Sequence, residues 1–173
     1  MSNIMIDLET MGTGSNAAIL ALGVVKFNTK GLGDEFYAII DLNTSVKAGL
    51  SIDPSTIYWW LKQSDEARAA LGRENESLFS ALKAFSAFVG DKDKAKIWGN
   101  GASFDNPILA DAYRAVNLEQ PWKFWNDMCY RTVKNLLGNN IEYVFEGDKH
   151  NALDDAKSQA LHLIKILTVM GGK

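Results

Sequence analysis

The chain has 173 residues, 47% hydrophobic and 23% charged, the size and balance of one ordinary globular domain over residues 1–173, able to bury about two-thirds of its unfolded surface without disulfide or metal staples. Eighteen Lys and Arg against 21 Asp and Glu give a net charge of −3, which argues against a broad basic surface that coats duplex DNA but leaves open a cleft for a short single strand. No apolar run approaches the roughly 18 residues of a membrane helix, and the opening MSNIMIDLE carries two acids in place of a basic flank, so neither membrane insertion nor secretion is expected. The one cysteine, Cys129, has no internal disulfide partner, in keeping with a reducing cytoplasmic setting, while a buried thiol would fit other compartments as well.

Residues 3–9 alternate as a strand that projects Asp7 and Glu9 from the same face. A turn over 12–16 leads to a second strand over 18–27, and a third is expected over 36–40 after the Gly31 and Gly33 turn. Three short strands joined this way make an antiparallel meander. Pro54 opens a helical stretch expected over 54–71, capped at Ser55 or Thr56, with Ile57, Trp60, Leu61 and residues 67–71 as its apolar stripe. A second helix is expected over 77–89, where Leu78, Leu82, Phe85 and Val89 fall at helical spacing and Gly90 ends the run.

A short strand over 95–98 runs into Gly99-Asn100-Gly101. The next helix begins near Phe104 or Asp105 and continues to Val116. Residues 122–125 read as the last strand, 127–137 as a helix, and 151–170 as the final helix. A meander followed by strands alternating with helices predicts an α/β fold with a mixed five-stranded sheet packed against helices.

The first chemical signal is Asp7-x-Glu9. Two acids on one face of a strand repel and resist desolvation unless a cation sits between them, although a bare pair reads equally well as an acidic strand end facing solvent. Asp105 follows the strand ending at Trp98 and opens a helix, a place where ligand sites collect; Ser103 or Asp105 as a simple helix cap explains the same pattern. The third cluster is His150-Asn151-Ala152-Leu153-Asp154-Asp155. Asn151 is a good N-cap, Asp154 favours the exposed amides of the first turn, and His150 and Asp155 can face a common cleft. Alone, His150 reads as well as a surface imidazole.

Together, Asp7, Glu9, Asp105 and Asp155 are hard oxygen donors suited to Mg²⁺ or Mn²⁺, whereas a single cysteine and two histidines do not make a zinc site. Two such ions about 3.5 to 4 Å apart can activate water on one side of a phosphodiester and stabilise the leaving oxygen on the other. His150 has a side chain able to take the water's proton. His162, two turns beyond Asp155, is too far for the same ion and reads as structural.

DLET at 7–10, NGASFD at 100–105 and HNALDDA at 150–156 resemble the three motifs of the DEDDh 3′-5′ exonucleases, the superfamily of the DNA polymerase III proofreading subunit, ribonuclease T and oligoribonuclease. The histidine five residues before the last acid distinguishes this pattern from the tyrosine-bearing sister group. The Asp7–Gly12 segment, the Trp59-Trp60 pair and the Asp127–Thr132 segment are most similar to the branch of exodeoxyribonuclease VIII-like proteins, phage exonuclease A and related small exoribonucleases.

The resemblance implies a ribonuclease H-like fold, two Mg²⁺ or Mn²⁺ ions and release of nucleoside 5′-monophosphates from 3′ ends of single-stranded DNA or RNA, DNA being the favoured substrate. It implies that Asp7 bridges both ions, that Glu9 and Asp155 hold the ion on the nucleophile side, that Asp105 helps hold the other and that His150 is the general base. From resemblance alone it also raises a homodimer. Exoribonuclease trimming of short or overhanging RNA, and a non-catalytic nucleic-acid-binding module, are the alternatives. For the substrate strand, Thr10, Met11 and Gly12 are candidates for a terminal-nucleotide pocket, Trp59 and Trp60 for base stacking, Phe104 for a cleft contact and Arg131, sharing a helical face with Lys134, for phosphate; core packing is the slightly favoured reading of the two tryptophans and the usual one for Phe104, and a solvated face is the other reading of Arg131 and Lys134.

Overall fold

In the computed structural model, which describes residues 1–71, 75–138 and 140–171, alternation along the first strand sets the layers. Strand β1 (Asn3–Thr10) turns Ile4, Ile6 and Leu8 into one core and Met5, Asp7 and Glu9 to the opposite face. Strands β2 (Ile19–Asn28) and β3 (Gly31–Ile39) complete the antiparallel meander. Strands β4 (Lys96–Gly99) and β5 (Asp127–Cys129) run parallel to β1, giving one five-stranded mixed sheet of order β3-β2-β1-β4-β5.

The Ile4 face is covered by α4 (Leu78–Val89) and α5 (Asp105–Ala115), whose Leu78, Leu82, Phe85, Ile108 and Leu109 are buried with Trp122 in the larger core. The Met5 face is covered by α7 (Ala152–Gly171), which sets Ala156, Ala160 and Leu163 against Met5, Val25, Phe27 and Trp98. A helix lying this close needs small residues beneath it. Gly23 supplies one: a β-carbon there would fall 2.1 Å from the carbonyl carbon of Ala152. Gly23 is also the residue paired with Asp7 across the β1–β2 ladder, so the start of α7 rests directly beside that acid.

Several elements differ from the sequence pattern. The expected helix over 54–71 is two, α2 (Pro54–Trp60) and α3 (Asp65–Leu71). Asp53 caps the first, accepting from the amide of Ser55, and Ser64 Oγ accepts from Ala67 N to begin the second. Between them Gln63 Nε2 closes on the carbonyl of Trp59 and Arg68 binds the carbonyls of Leu61 and Gln63, so side chains satisfy the groups that a continuous helix would have paired. A short helix α1 (Leu42–Lys47), capped by Asp41, was not evident from spacing.

Residues 122–125 are not a strand. Their aromatic content mimics one, but Trp122 is buried, with its Nε1 donating to Asp127 Oδ1, and Phe124–Asn126 form a 3-10 turn with Phe124 and Trp125 exposed. The last strand starts at Asp127, and α6 (Tyr130–Leu137) begins three residues later than its pattern suggested. No helix among the described residues is long and apolar enough to cross a membrane.

Candidate active site

The carboxyl ends of the parallel strands β1 and β4 meet the amino ends of α5 and α7, and the acids marked by sequence gather there. Asp7, Glu9 and Asp155 each offer a carboxylate oxygen, and these oxygens lie within 4.8 Å of one another. Asp105, only 1% exposed, stands beside this trio at the end of β4, where Gly99 leaves room for it: a β-carbon on Gly99 would lie 3.0 Å from Asp105 Oδ2. That oxygen accepts from the amide of Asn100 at 2.7 Å. Neither Asp105 nor Ser103 caps α5; the N-cap position is Phe104, which makes no side-chain cap bond.

The third motif is organised by its backbone. Asn151 Oδ1 accepts from the amides of Leu153 and Asp154, the N-cap that its position predicts. Asp154 does a different job from the capping expected of it, accepting from the amide of Asp148 at 3.0 Å and so tying down the incoming loop. His150 has a left-handed backbone, φ 64°, unusual for a residue with a side chain. That turn points its N–H at Asp155 Oδ2, 3.0 Å away. The histidine is thereby fastened to an acid of the trio.

The electrostatics follow from packing four acids together. Burial, then the charges of Asp155 and Asp105, push Glu9 up to about 8. Burial raises Asp7 well above the usual carboxylate range, with Asp105, Glu9 and Asp155 adding to the effect and a hydrogen bond from Gln159 opposing it. Asp105 rises to about 6 through burial, held back by the amide of Asn100 and by the charge of Arg131. Asp155 is raised by burial against the pull of the His150 amide. None of the ion pairs among the described residues involves these four acids. Convergent hard donors that repel one another and share no ion pair among the described residues fit a divalent cation, whose charge offsets the burial that otherwise favours protonation.

Beside Glu9 lies a cavity of about 340 Å³ lined by Leu8, Glu9, Thr10, Gly12, Thr13, Ser55, Thr56, Trp59 and Trp60. Thr10 and Gly12 thus reach the cavity, with Thr10 Oγ1 donating to the carbonyl of Gly12. Met11 packs instead against the apolar clusters. Trp60 is 6% exposed and donates from Nε1 to the carbonyl of Thr10; Trp59 is 43% exposed. Phe104 is half-buried against the main core. Arg131 is exposed on α6, its guanidinium carbon 3.7 Å from the place of a β-carbon on Gly101.

His162 is buried and structural, as its spacing predicts. Its Nε2 lies 2.9 Å from the carbonyl of Ile141, an acceptor only, so Nε2 carries the proton and Nδ1 accepts from the Tyr130 hydroxyl at 2.7 Å. Sequence reasoning missed two groups. Tyr143 comes in from the loop before α7, where burial and then the charges of Asp155 and Asp7 raise its hydroxyl pKa. Gln159 donates from Nε2 to Asp7 Oδ1 at 2.8 Å; its signal was the spacing of one helical turn after Asp155.

Comparison with known proteins agrees with this geometry. Residues 2–167 match the family model described as the 3′-5′ exoribonuclease Rv2179c-like domain. The chain is 31% identical over 159 residues to an exodeoxyribonuclease of Enterobacteria phage T4, spanning 76% of this chain and 70% of that protein. Among solved structures, the nuclease domain of 3′hExo, a DEDDh family member crystallised with rAMP, superposes with a TM-score of 0.61 at 17% identity, covering 96% of this chain and 92% of that one. Exonuclease X in complex with 5′ overhanging duplex DNA gives 0.62 at 17% identity, covering 98% and 93%. These structural likenesses establish the ribonuclease H-like α/β fold. The chain belongs to the Rv2179c-like family of 3′-5′ exoribonuclease domains and is a metal-dependent nuclease of the DEDDh 3′-5′ type, acting on nucleic-acid ends.

Proposed function

We propose that the protein removes nucleotides one at a time from the 3′ end of single-stranded DNA, releasing nucleoside 5′-monophosphates, with Asp7, Glu9, Asp105 and Asp155 holding two Mg²⁺ or Mn²⁺ ions and His150 serving as general base. The observation that carries this reading is the meeting of Asp7, Glu9 and Asp155 oxygens within 4.8 Å beside a cavity lined by Glu9, Thr10 and Trp59. When bound, the divalent ions make water a stronger nucleophile near neutral pH and offset charge on the leaving oxygen.

The chain's own groups do the rest. A terminal base enters the cavity against the exposed indole of Trp59, a contact tolerant of base identity. Water attacks the last phosphorus as the bond to the 3′ oxygen of the preceding nucleotide breaks. The water's proton passes to the imidazole of His150, a role supported by the bond from the His150 amide to Asp155. Arg131, exposed and outside every ion pair among the described residues, is free to meet a phosphate further along the strand.

The likeness to a phage exodeoxyribonuclease supports DNA as the substrate and a place in the phage-related branch. The match to an exoribonuclease domain favours a second reading, RNA. Parallel digestion of DNA and RNA strands of one sequence across Mg²⁺ and Mn²⁺ concentrations separates them. Faster loss of the DNA strand is expected; faster loss of RNA selects the second reading, and binding without metal-dependent loss of either strand reduces the protein to a nucleic-acid-binding module.

A further inference from the structure

Gln159 occupies a place on α7 that packing alone would fill with an apolar side chain. Its neighbours on the same helix, Ala156, Ala160 and Leu163, complete the apolar interface with β1 and β2. Gln159 is 3% exposed, and Nε2 donates to Asp7 Oδ1 at 2.8 Å, while Oε1 is buried with no hydrogen-bond partner among the described residues. Leaving a buried carbonyl unpaired is unfavourable for folding. What the polar side chain gains in exchange is the bond to Asp7.

In the ionised form that meets a cation, the Asp7 carboxylate only accepts, so the nitrogen end of the amide faces it. One such bond restrains the carboxylate from turning about its last side-chain torsion. A neutral amide does this without competing for the site. A lysine or arginine in its place would neutralise Asp7 and oppose a cation, and an acid would add a fifth repelling charge. Gln159 also lies one turn after Asp155 on the same face of α7, so a single helical turn carries one acid of the trio and the group that orients another.

We infer that Gln159 is a positioning residue of the metal site, holding the Asp7 carboxylate at the angle in which it meets a divalent cation together with Glu9 and Asp155. The inference rests on the reading of those acids as metal ligands. Groups that orient metal ligands from behind are commonly worth 10- to 100-fold in metal affinity.

Two variants test it. Gln159→Met keeps the volume and removes both the donor and the orphaned oxygen; Gln159→Asn keeps the amide but is one methylene too short to reach Asp7 in the same way. Each is measured for thermal unfolding without metal, for Mn²⁺ binding by calorimetry and for the Mg²⁺ concentration that half-saturates cleavage. Expected are a metal-free unfolding temperature for Gln159→Met at or above that of the wild type, Mn²⁺ affinity lowered roughly 10- to 100-fold in both variants, and a matching rise in the Mg²⁺ requirement with cleavage by Gln159→Met largely recovered at saturation. Wild-type Mn²⁺ affinity in both variants overturns the inference, as does failure of both to fold without metal, which would make Gln159 a packing residue. A wild-type protein that binds no Mn²⁺ overturns the metal reading itself, a result separate from either of these.

Discussion

The imidazole of His150 stands perpendicular to the indole of Trp59, their ring centroids 5.0 Å apart at 88°, and the same indole meets Trp60 edge-on at 5.0 Å and 81°. The expected base and the expected stacking platform therefore share one aromatic cluster, although α2 and the loop before α7 are remote in sequence. Trp60 anchors that cluster in the core through its bond to the Thr10 carbonyl, and Trp59 is its exposed member.

The two tryptophans should separate experimentally. Trp59→Ala is expected to weaken binding of a single-stranded oligonucleotide, measured in Ca²⁺ to suppress turnover, by about 1–3 kcal/mol, the scale of one stacked base. Its unfolding temperature should stay near that of the wild type. Trp60→Ala should instead cost about 3–5 kcal/mol in urea denaturation, as large buried aromatics do. Unchanged oligonucleotide affinity in Trp59→Ala would remove it from the strand's path.

Stability of the metal-free protein should fall as pH rises. Glu9, at about 8 in the fold against 4.5 when unperturbed, binds a proton more tightly folded than unfolded. Its stabilisation is therefore present below about 4.5 and lost as pH climbs through about 8. Asp105, raised to about 6, acts in the same direction over a lower window. Thermal unfolding in chelator between pH 5 and 8.5 should show this decline. Added Mn²⁺ should shrink or reverse it, because metal competes with those protons. A metal-free protein that gains stability across this range would contradict the packing of acids described above.

Gly23 carries a structural prediction. A β-carbon there would come within 2.2 Å of backbone atoms of Ala152 and Leu153, which no side-chain adjustment relieves. Gly23→Ala must therefore lift the start of α7 off β2, and with it His150 and Asp155. A loss of about 1–3 kcal/mol is expected, typical of overpacking, together with weaker Mn²⁺ binding. Both are readable by denaturation and calorimetry.

His150→Ala should lower the single-turnover cleavage rate by roughly 10²- to 10⁴-fold, the scale of a lost general base, while binding in Ca²⁺ changes little. The loss should appear across pH 5.5 to 9. Equal rates, or a deficit accounted for by weaker binding, would leave water activation to the metal-bound carboxylate cluster alone.

Much of this arrangement was legible in the chain. Alternation from Ile4 to Glu9 was enough to put Asp7 and Glu9 on one face, and the Asn151 cap placed Asp155 on the first turn of α7 with His150 just ahead of it. What spacing could not show were contacts made by tertiary packing: the Trp59–His150 cluster, the Gln159–Asp7 bond and the seat of α7 on Gly23. Local patterns failed where side chains replaced backbone pairing. Ser64 and Gln63 divide what reads as one helix, and the aromatic run at 122–125 looks like a strand until Trp122 is found buried against Asp127.

The central claim, a metal-dependent attack on the 3′ end by the cluster of Asp7, Glu9, Asp105 and Asp155, is tested most directly by digesting a 5′-labelled single strand with the wild type and with Asp7→Asn and Asp155→Asn, with and without Mg²⁺. The wild type should yield a descending ladder of labelled products only when Mg²⁺ is present. Both variants should fold, melt at or above the metal-free wild type because a repelling charge is gone, and leave the strand intact. Near-normal ladders from either variant at saturating Mg²⁺, or efficient cutting of a circular single strand by the wild type, would contradict it.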